Sequence, residues 1–309
     1  MKVLQVAVGV IKNASGEVFI SLRDKELHQG GLWEFPGGKV ELDESIEQAL
    51  KRELNEELAI TVRKATPLIT IKHAYPDRHV QLHVFLVHQF TGNIQHNQGQ
   101  PWCWVTTEAL NQYNFPAANK PIVTAARLPH YYAILDDRDE NRLFQDLLHL
   151  LDQNISLIQA RLKRLSASAV EAFLKKAYPV CKHHQATLLL NSGMNWLHPT
   201  YTDGLHLTSS HLMNLNQRPD HYRWVAASCH NLAEVRHAQK IGVDFAVLAP
   251  ILPTQTHIEA NPLGWQQFSS ITSEATIPLY ALGGLAKSDL VKAQQHGAQG
   301  IAAIRAFLR

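Results

Sequence analysis

GGKVELDESIEQALKRELNEELAI, residues 37–60, reads as a tight glycine turn, a short acidic loop and then a helix. Ser45 followed three residues later by Gln48 is a capping-box pattern and sets the helix start near Ser45. Ile46, Leu50, Leu54 and Leu58 recur at every fourth position and make one apolar stripe. Glu53, Glu56 and Glu57 stand at i, i+3 and i+4. At about 100° per residue they share an arc of roughly 100° that borders the stripe. The carboxylates are therefore expected at the rim of the packed side, where a pocket can form. Three like charges so close repel one another, and a divalent cation would relieve that repulsion. Hard oxygen ligands suit Mg²⁺ or Mn²⁺, ions that usually come with substrate phosphates. Taken alone, an E-x-x-E-E is more simply a solvated charged face.

The wider spacing separates these readings. Gly38, five residues, Glu44, seven residues, Arg52-Glu53-Leu54, one residue, Glu56-Glu57 and then Ile60 resembles the signature box of the Nudix hydrolases. One position departs: Ala59 stands where the family has a glycine. A glycine just past a helix serves a left-handed backbone angle, and an alanine forced to keep that angle costs roughly 1 kcal/mol. Residues 1–128 resemble the MutT-type branch, the 8-oxo-dGTP diphosphatases, through LQVAVGVI, EFPGGKVE, YPDRH, GQP and FPAANKP.

That resemblance implies an α+β sandwich with α/β/α layers. It implies metal binding by Glu53, Glu56 and Glu57, with a backbone carbonyl of Gly37 or Gly38 assisting and Arg52 orienting Glu53. Arg23, Phe35, Arg78 and Asn119 match positions that contact the nucleotide, and the Asn119 amide matches the group that reads the oxidised guanine. An amide offers a donor and an acceptor side by side, which suits a purine edge. Lys39 stands beside the glycines, where its ammonium and their N–H groups can face phosphate oxygens. The implied reaction is attack of water on the β-phosphorus, releasing a nucleoside monophosphate and pyrophosphate and so sanitising the nucleotide pool; the alternative is a Nudix hydrolase of another diphosphate, such as a thiamine-related one. The family often carries a loop glutamate, a metal ligand or base, where this chain has Gln98. A glutamine oxygen coordinates weakly and takes no proton at neutral pH, so either Glu53 or Glu44 is expected to serve as base or turnover is expected to be slower.

At 309 residues the chain is expected to hold two domains, 1–128 and 129–309, divided near Pro129. With 45% apolar and 18% charged residues, both halves can bury a core. A formal charge of +2 gives no field that argues for nucleic acid or a membrane as partner. No apolar run is long enough to span a bilayer, and MKVLQVAVGVIKN reads as a first strand rather than a signal peptide. Cys103, Cys181 and Cys229 are odd in number and far apart, which fits reduced thiols in a cytoplasm. Most of the 18 histidines read as solvated or core residues, and His183-His184 as part of a polar connector.

In the first half, strands are expected over residues 5–11, 18–22, 67–74, 79–90 and 102–106. Asn13-Ala14-Ser15-Gly16 is a hairpin signal between the first two. Val80, Leu82, Val84 and Leu86 share one face, and a short helix is expected over residues 107–112.

From residue 131 onward eight strand-like runs alternate with helical stretches at 141–153, 167–177, 232–241 and 288–296. Eight strands in about 180 residues predict a (β/α)₈ TIM barrel, with a doubly wound sheet as the alternative. QARLK, LLLNS, DGLHL, SCHN, LAPILPTQTH and ALGG resemble the thiamine-phosphate synthase and thiazole tautomerase family. The resemblance implies a phosphorylated thiazole or thiamine-type ligand, with Gln159, Arg161, Lys163, Asn191, His230 and Gly284 as site residues. Phosphate would sit near Gly283-Gly284 and Arg305, where barrels commonly bind it. Ser192 and His211 replace two metal-binding aspartates of the synthases, and His257 replaces a lysine. Synthase activity is therefore not expected. A metal-free tautomerase using His230 or a non-catalytic ligand-binding module remains, and His230 reads equally well as a hydrogen-bonded strand-end histidine.

Overall fold

The structure is a computed structural model and describes residues 3–26, 28–95, 99–194, 200–254 and 261–308. The chain divides into two compact units, Met1–Arg127 and Leu128–Arg309. No helix among the described residues is long and apolar enough to cross a membrane.

The first unit contains β1 (Val3–Ile11), β2 (Val18–Leu22), β3 (Trp33–Glu34), β4 (Gly37–Lys39), α1 (Ile46–Leu58), β5 (Thr61–Ala74), β6 (His79–Thr91), β7 (Trp102–Val105) and α2 (Lys120–Arg127). A mixed sheet runs β4-β1-β6-β5, with β1 and β6 parallel, and an antiparallel sheet runs β3-β2-β7. Alternation along the central strands explains the layering. Ala7, Ile11, Phe85 and Val87 pack with Ala49, Leu50, Leu54 and Leu58 of α1. Val8, Val10, Val80, Leu82, Val84 and Leu86 pack on the other side with Ile122, Val123 and Ala126 of α2. This is the α/β/α sandwich.

Three expectations are corrected here. The Asn13–Gly16 turn does not close a ladder: β1 and β2 share the single bridge Lys12–Val18 and then enter different sheets. Gly37-Gly38 is a strand paired with Val8 and Ala7 rather than a turn. The short helix before residue 113 is a 3₁₀ turn, Ala109–Gln112.

The second unit is a closed parallel barrel, which excludes the doubly wound sheet. Its strands are β8 (Tyr131–Asp136), β9 (Leu157–Arg161), β10 (Thr187–Asn191), β11 (Gly204–Leu207), β12 (Trp224–Cys229), β13 (Phe245–Leu248), β14 (Leu279–Leu282) and β15 (Gly300–Ala303). Helices α3 (Leu143–Asp152), α4 (Ala167–His183), α5 (Ser209–Met213), α6 (Leu232–Ile241), α7 (Gly264–Thr272) and α8 (Leu290–Gln295) lie between strands. α4 runs through Pro179 instead of stopping before it, so His183 ends a helix and is not in a connector. The proline ring is exposed, and Val170, Leu174, Ala177 and Cys181 keep the inner stripe buried.

Candidate active site

α1 begins as the capping box requires. Ser45 accepts from the Gln48 N–H, and the Gln48 side chain accepts from the Ser45 N–H at 2.7 Å. The burial of Leu50, Leu54 and Leu58 then fixes the helix rotation and holds Glu53 and Glu57 against β4. Only glycine fits opposite. A Cβ on Gly38 would lie 2.1 Å from the Glu53 carboxyl carbon. Gly37 has φ +146°, and a Cβ there would lie 2.1 Å from the Ala7 carbonyl oxygen. The Gly37 N–H donates to Glu57 at 3.1 Å.

Arg52 gathers the surrounding acids. Its guanidinium reaches Glu44 at 2.7 Å, Glu53 at 3.0 Å, Glu56 at 3.3 Å and the Lys39 carbonyl at 3.0 Å. Hydrogen bonds to Glu44 come first in holding Arg52 in its charged form. The same contact, with the Glu41 N–H, holds the Glu44 carboxyl below the usual carboxylate range. Glu44 does not line the cleft beside α1. Of the two candidate bases, it is the one committed to clamping Arg52.

The cleft has a volume of about 920 Å³. It brings together Arg23, Phe35, Gly37, Gly38, Lys39, Glu53, Glu57, Arg78 and Asn119 from five separate stretches of chain. Glu56 lies on the outer edge of α1, its side chain 59% exposed. Gln98 lies outside the described residues. Phe35 does double duty: it lines the cleft, yet is buried and stacked on Phe115 at 5.2 Å.

Glu34 was not singled out from sequence. It pairs closely with Arg23, whose Nε also donates to the His28 carbonyl at 2.7 Å. Burial raises the Glu34 pKa despite Arg23. Glu57 is pushed up to about 7, first by burial and then by the Glu34 and Glu53 carboxylates, against the Gly37 hydrogen bond. The E-F-P-G-G run was the available signal for Glu34; nothing local in it reveals the contact with Arg23.

Among the described residues no three acidic, histidine or cysteine side chains converge into a metal cage. The donor set still fits a hard divalent cation. Glu53 and Glu57 present oxygens to one cleft, where burial first and then the neighbouring carboxylates raise the Glu57 pKa. Mg²⁺ commonly takes one or two carboxylates and completes its shell with water and substrate phosphate.

In the barrel, Gln159, Arg161, Lys163, Asn191 and His230 line one cleft of about 390 Å³. Gly284 lines a second of about 460 Å³ with Gly283 and Arg305, and the two share Thr254, Leu282, Gly283 and Ile304. Gln159 and Asn191 are committed to each other, Asn191 Nδ2 donating to Gln159 Oε1 at 2.8 Å. Gln159 Nε2 donates to the Tyr132 hydroxyl at 3.2 Å, which meets His206 Nδ1 at 2.9 Å; His206 Nε2 meets Ser228 at 2.8 Å. Burial and then Arg161 push His206 down to about 3, so it is neutral. Lys163 is lowered, first by burial and then by Arg161. His230 Nδ1 faces the Ala249 carbonyl at 2.8 Å, which assigns the proton to Nδ1 and makes Nε2 the acceptor nitrogen of the neutral ring. Ser192 and His211, at the positions of the lost carboxylates, bond each other at 2.7 Å. The described lining of this cleft contains no Asp or Glu. His257 lies outside the described residues.

Comparison with known proteins separates the chain in the same way. The NUDIX domain profile matches residues 7–125, and the thiamine monophosphate synthase profile matches residues 131–307. An 8-oxo-dGTP diphosphatase of Escherichia coli is 42% identical over 123 residues, 40% of this chain and 95% of that protein. A CTP pyrophosphohydrolase of the same organism is 36% identical over 125 residues, 40% of this chain and 92% of its own length. A putative thiamine-phosphate synthase of Aquifex aeolicus is 32% identical over 183 residues, 59% of this chain and 98% of that protein.

Proposed function

The chain belongs to the Nudix family through its first unit and to the thiamine monophosphate synthase family through its second, and from that premise we propose that it is a Mg²⁺-dependent nucleoside triphosphate pyrophosphohydrolase acting on 8-oxo-dGTP. The observation that carries this reading is the single cleft that gathers Glu53 and Glu57, the glycines of β4, Lys39 and Asn119. Glu53, Glu56 and Glu57 would hold the cation, with a carbonyl of Gly37 or Gly38. When bound, the cation neutralises charge on the polyphosphate and orients it.

The chain's own groups do the rest. Lys39 and Arg23 face phosphate oxygens at the mouth of the cleft. Arg52 fixes Glu53, and Glu44 fixes Arg52. Glu53 lines the cleft where Glu44 does not, so Glu53 takes the proton from the water that attacks the β-phosphorus. The bond from the β-phosphorus to the oxygen bridging to the α-phosphate breaks, so nucleoside monophosphate leaves and the water oxygen ends in the pyrophosphate. The Asn119 amide pairs with the oxidised purine edge, while Arg78 and Phe35 form the walls of the base site.

The barrel is proposed to bind a phosphorylated heterocycle of the thiazole type without metal. Phosphate would occupy the Gly283-Gly284 and Arg305 side. His230 would move a proton on the ring if the barrel is catalytic. A cleft lining with two cations and no carboxylate suits an anionic ligand better than a magnesium pyrophosphate.

The test is pyrophosphate release by the full chain with Mg²⁺ on a panel of nucleoside triphosphates. The expected kcat/KM for 8-oxo-dGTP exceeds that for dGTP at least about tenfold, as a hydrogen-bonded readout allows. Equal rates overturn the sanitising assignment. A preference for CTP would instead align the unit with its CTP-hydrolysing relative.

A further inference from the structure

Arg23 enters the cleft with part of its guanidinium already engaged. It stands just past β2, and both of its backbone groups are paired: its N–H donates to the Leu32 carbonyl at 2.9 Å, and its carbonyl accepts from the Gly31 N–H at 3.0 Å. Its Nε donates to the His28 carbonyl at 2.7 Å, and its Nη1 pairs closely with Glu34 Oε2. Arg23, His28 and Glu34 all line the cleft. Contacts on two nitrogens of a planar group fix both its place and its rotation. They leave Nη2 to a ligand.

Glu34 stands on the neighbouring strand, where β2 and β3 pair Ser21 with Glu34 and Leu22 with Trp33. That ladder is made by backbone groups and does not depend on the ion pair. Both side chains of the pair are partly exposed, and such a pair adds little to stability. The cleft already holds Glu53 and Glu57. A third carboxylate there repels a polyphosphate by Coulomb's law, so its charge alone works against the substrate. Its hold on Arg23 is the contact that can work in favour.

We propose that Glu34 is a positioning residue for nucleotide binding, turning the Arg23 guanidinium so that Nη2 meets the phosphate oxygens. This rests on the reading that Arg23 contacts the phosphates of a nucleoside triphosphate. Without Glu34 the guanidinium keeps only its Nε contact and swings about it, and substrate binding must then order it.

Two substitutions separate placement from charge. Glu34→Asp keeps the charge and withdraws the oxygens by about one carbon–carbon bond. Glu34→Gln keeps the reach and an accepting oxygen and removes the charge. Pyrophosphate release is measured on the full chain with Mg²⁺, using 8-oxo-dGTP and dGTP. KM is expected to rise about fivefold for both nucleotides in Glu34→Asp, and no more than about twofold in Glu34→Gln, with kcat within about twofold throughout. In an Arg23→Ala background, where KM is already raised, Glu34→Asp is expected to add nothing.

A Glu34→Asp protein with the KM of wild type overturns this inference alone. So does a Glu34→Gln protein whose KM falls, or rises as much as in Glu34→Asp, because charge would then outweigh placement. An unchanged KM in Arg23→Ala overturns the phosphate contact and this inference with it. A wild type that hydrolyses neither nucleotide overturns the proposed function as well.

Discussion

Ala59→Gly should stabilise the first unit. Ala59 sits at φ 55°, ψ 30°, just past the end of α1, with its N–H on the Asn55 carbonyl at 2.9 Å. The next N–H, Ile60, returns to the Leu54 carbonyl at 3.5 Å, a Schellman-like closure. The angle cannot relax, because Ile60 is fully buried in the α1 core and Gly92 packs against the Ala59 carbonyl. An L-residue in this region pays about 1–2 kcal/mol, and glycine pays almost none. Against that gain stands about 0.4–1 kcal/mol for the looser unfolded chain. The Ala59 side chain is exposed, so its removal costs little burial. The net expectation is about 0.5–1 kcal/mol of stabilisation, a rise of roughly 2–4 °C in the melting of the first unit. Differential scanning calorimetry of the full chain reads it, with Mg²⁺ identifying the transition that belongs to the first unit. A neutral or lower melting temperature would refute the left-handed cap and the strain assigned to Ala59.

Burial raises the Glu57 pKa to about 7, above its unfolded value. Its protonated form is thus favoured by the fold, so this stability is present below the unfolded pKa and lost as pH rises through about 7. Because a cation needs the ionised carboxylate, Mn²⁺ affinity should rise about tenfold between about pH 6 and pH 8, and titration of the metal-free protein checks it. In the barrel, Tyr132→Phe removes the hydroxyl that joins Gln159 to His206. It should destabilise the second unit by about 1–3 kcal/mol in urea unfolding, since two buried groups lose a partner; no loss would mean water replaces the hydroxyl.

Local pattern carried the elements well and their long-range partners poorly. The stripe and capping box of α1 are periodic within one helix, so residues 37–60 placed Glu53 and Glu57 without knowledge of the rest. The period-two face of Val80, Leu82, Val84 and Leu86 likewise appears in one core layer. By contrast, the turn after β1 has the residues of a hairpin, and nothing local says that β2 leaves for another sheet. Pro179 carries a helix-breaking signal, but burial along α4 outweighs one lost hydrogen bond. Glu34 and the network of Tyr132, His206 and Ser228 were missed for a shared reason. Each matters through a neighbour distant in sequence, and strand alternation alone does not say which polar residue points into a barrel.

Glu57→Gln in the full chain tests the whole assignment most directly. Pyrophosphate release with Mg²⁺ should fall by at least about a hundredfold, because a ligand oxygen and its charge are lost together. The metal-free variant should melt no lower than wild type at about pH 8, since glutamine removes a buried charge that the fold disfavours. Undiminished turnover in a folded Glu57→Gln protein would contradict the account and put the reaction elsewhere.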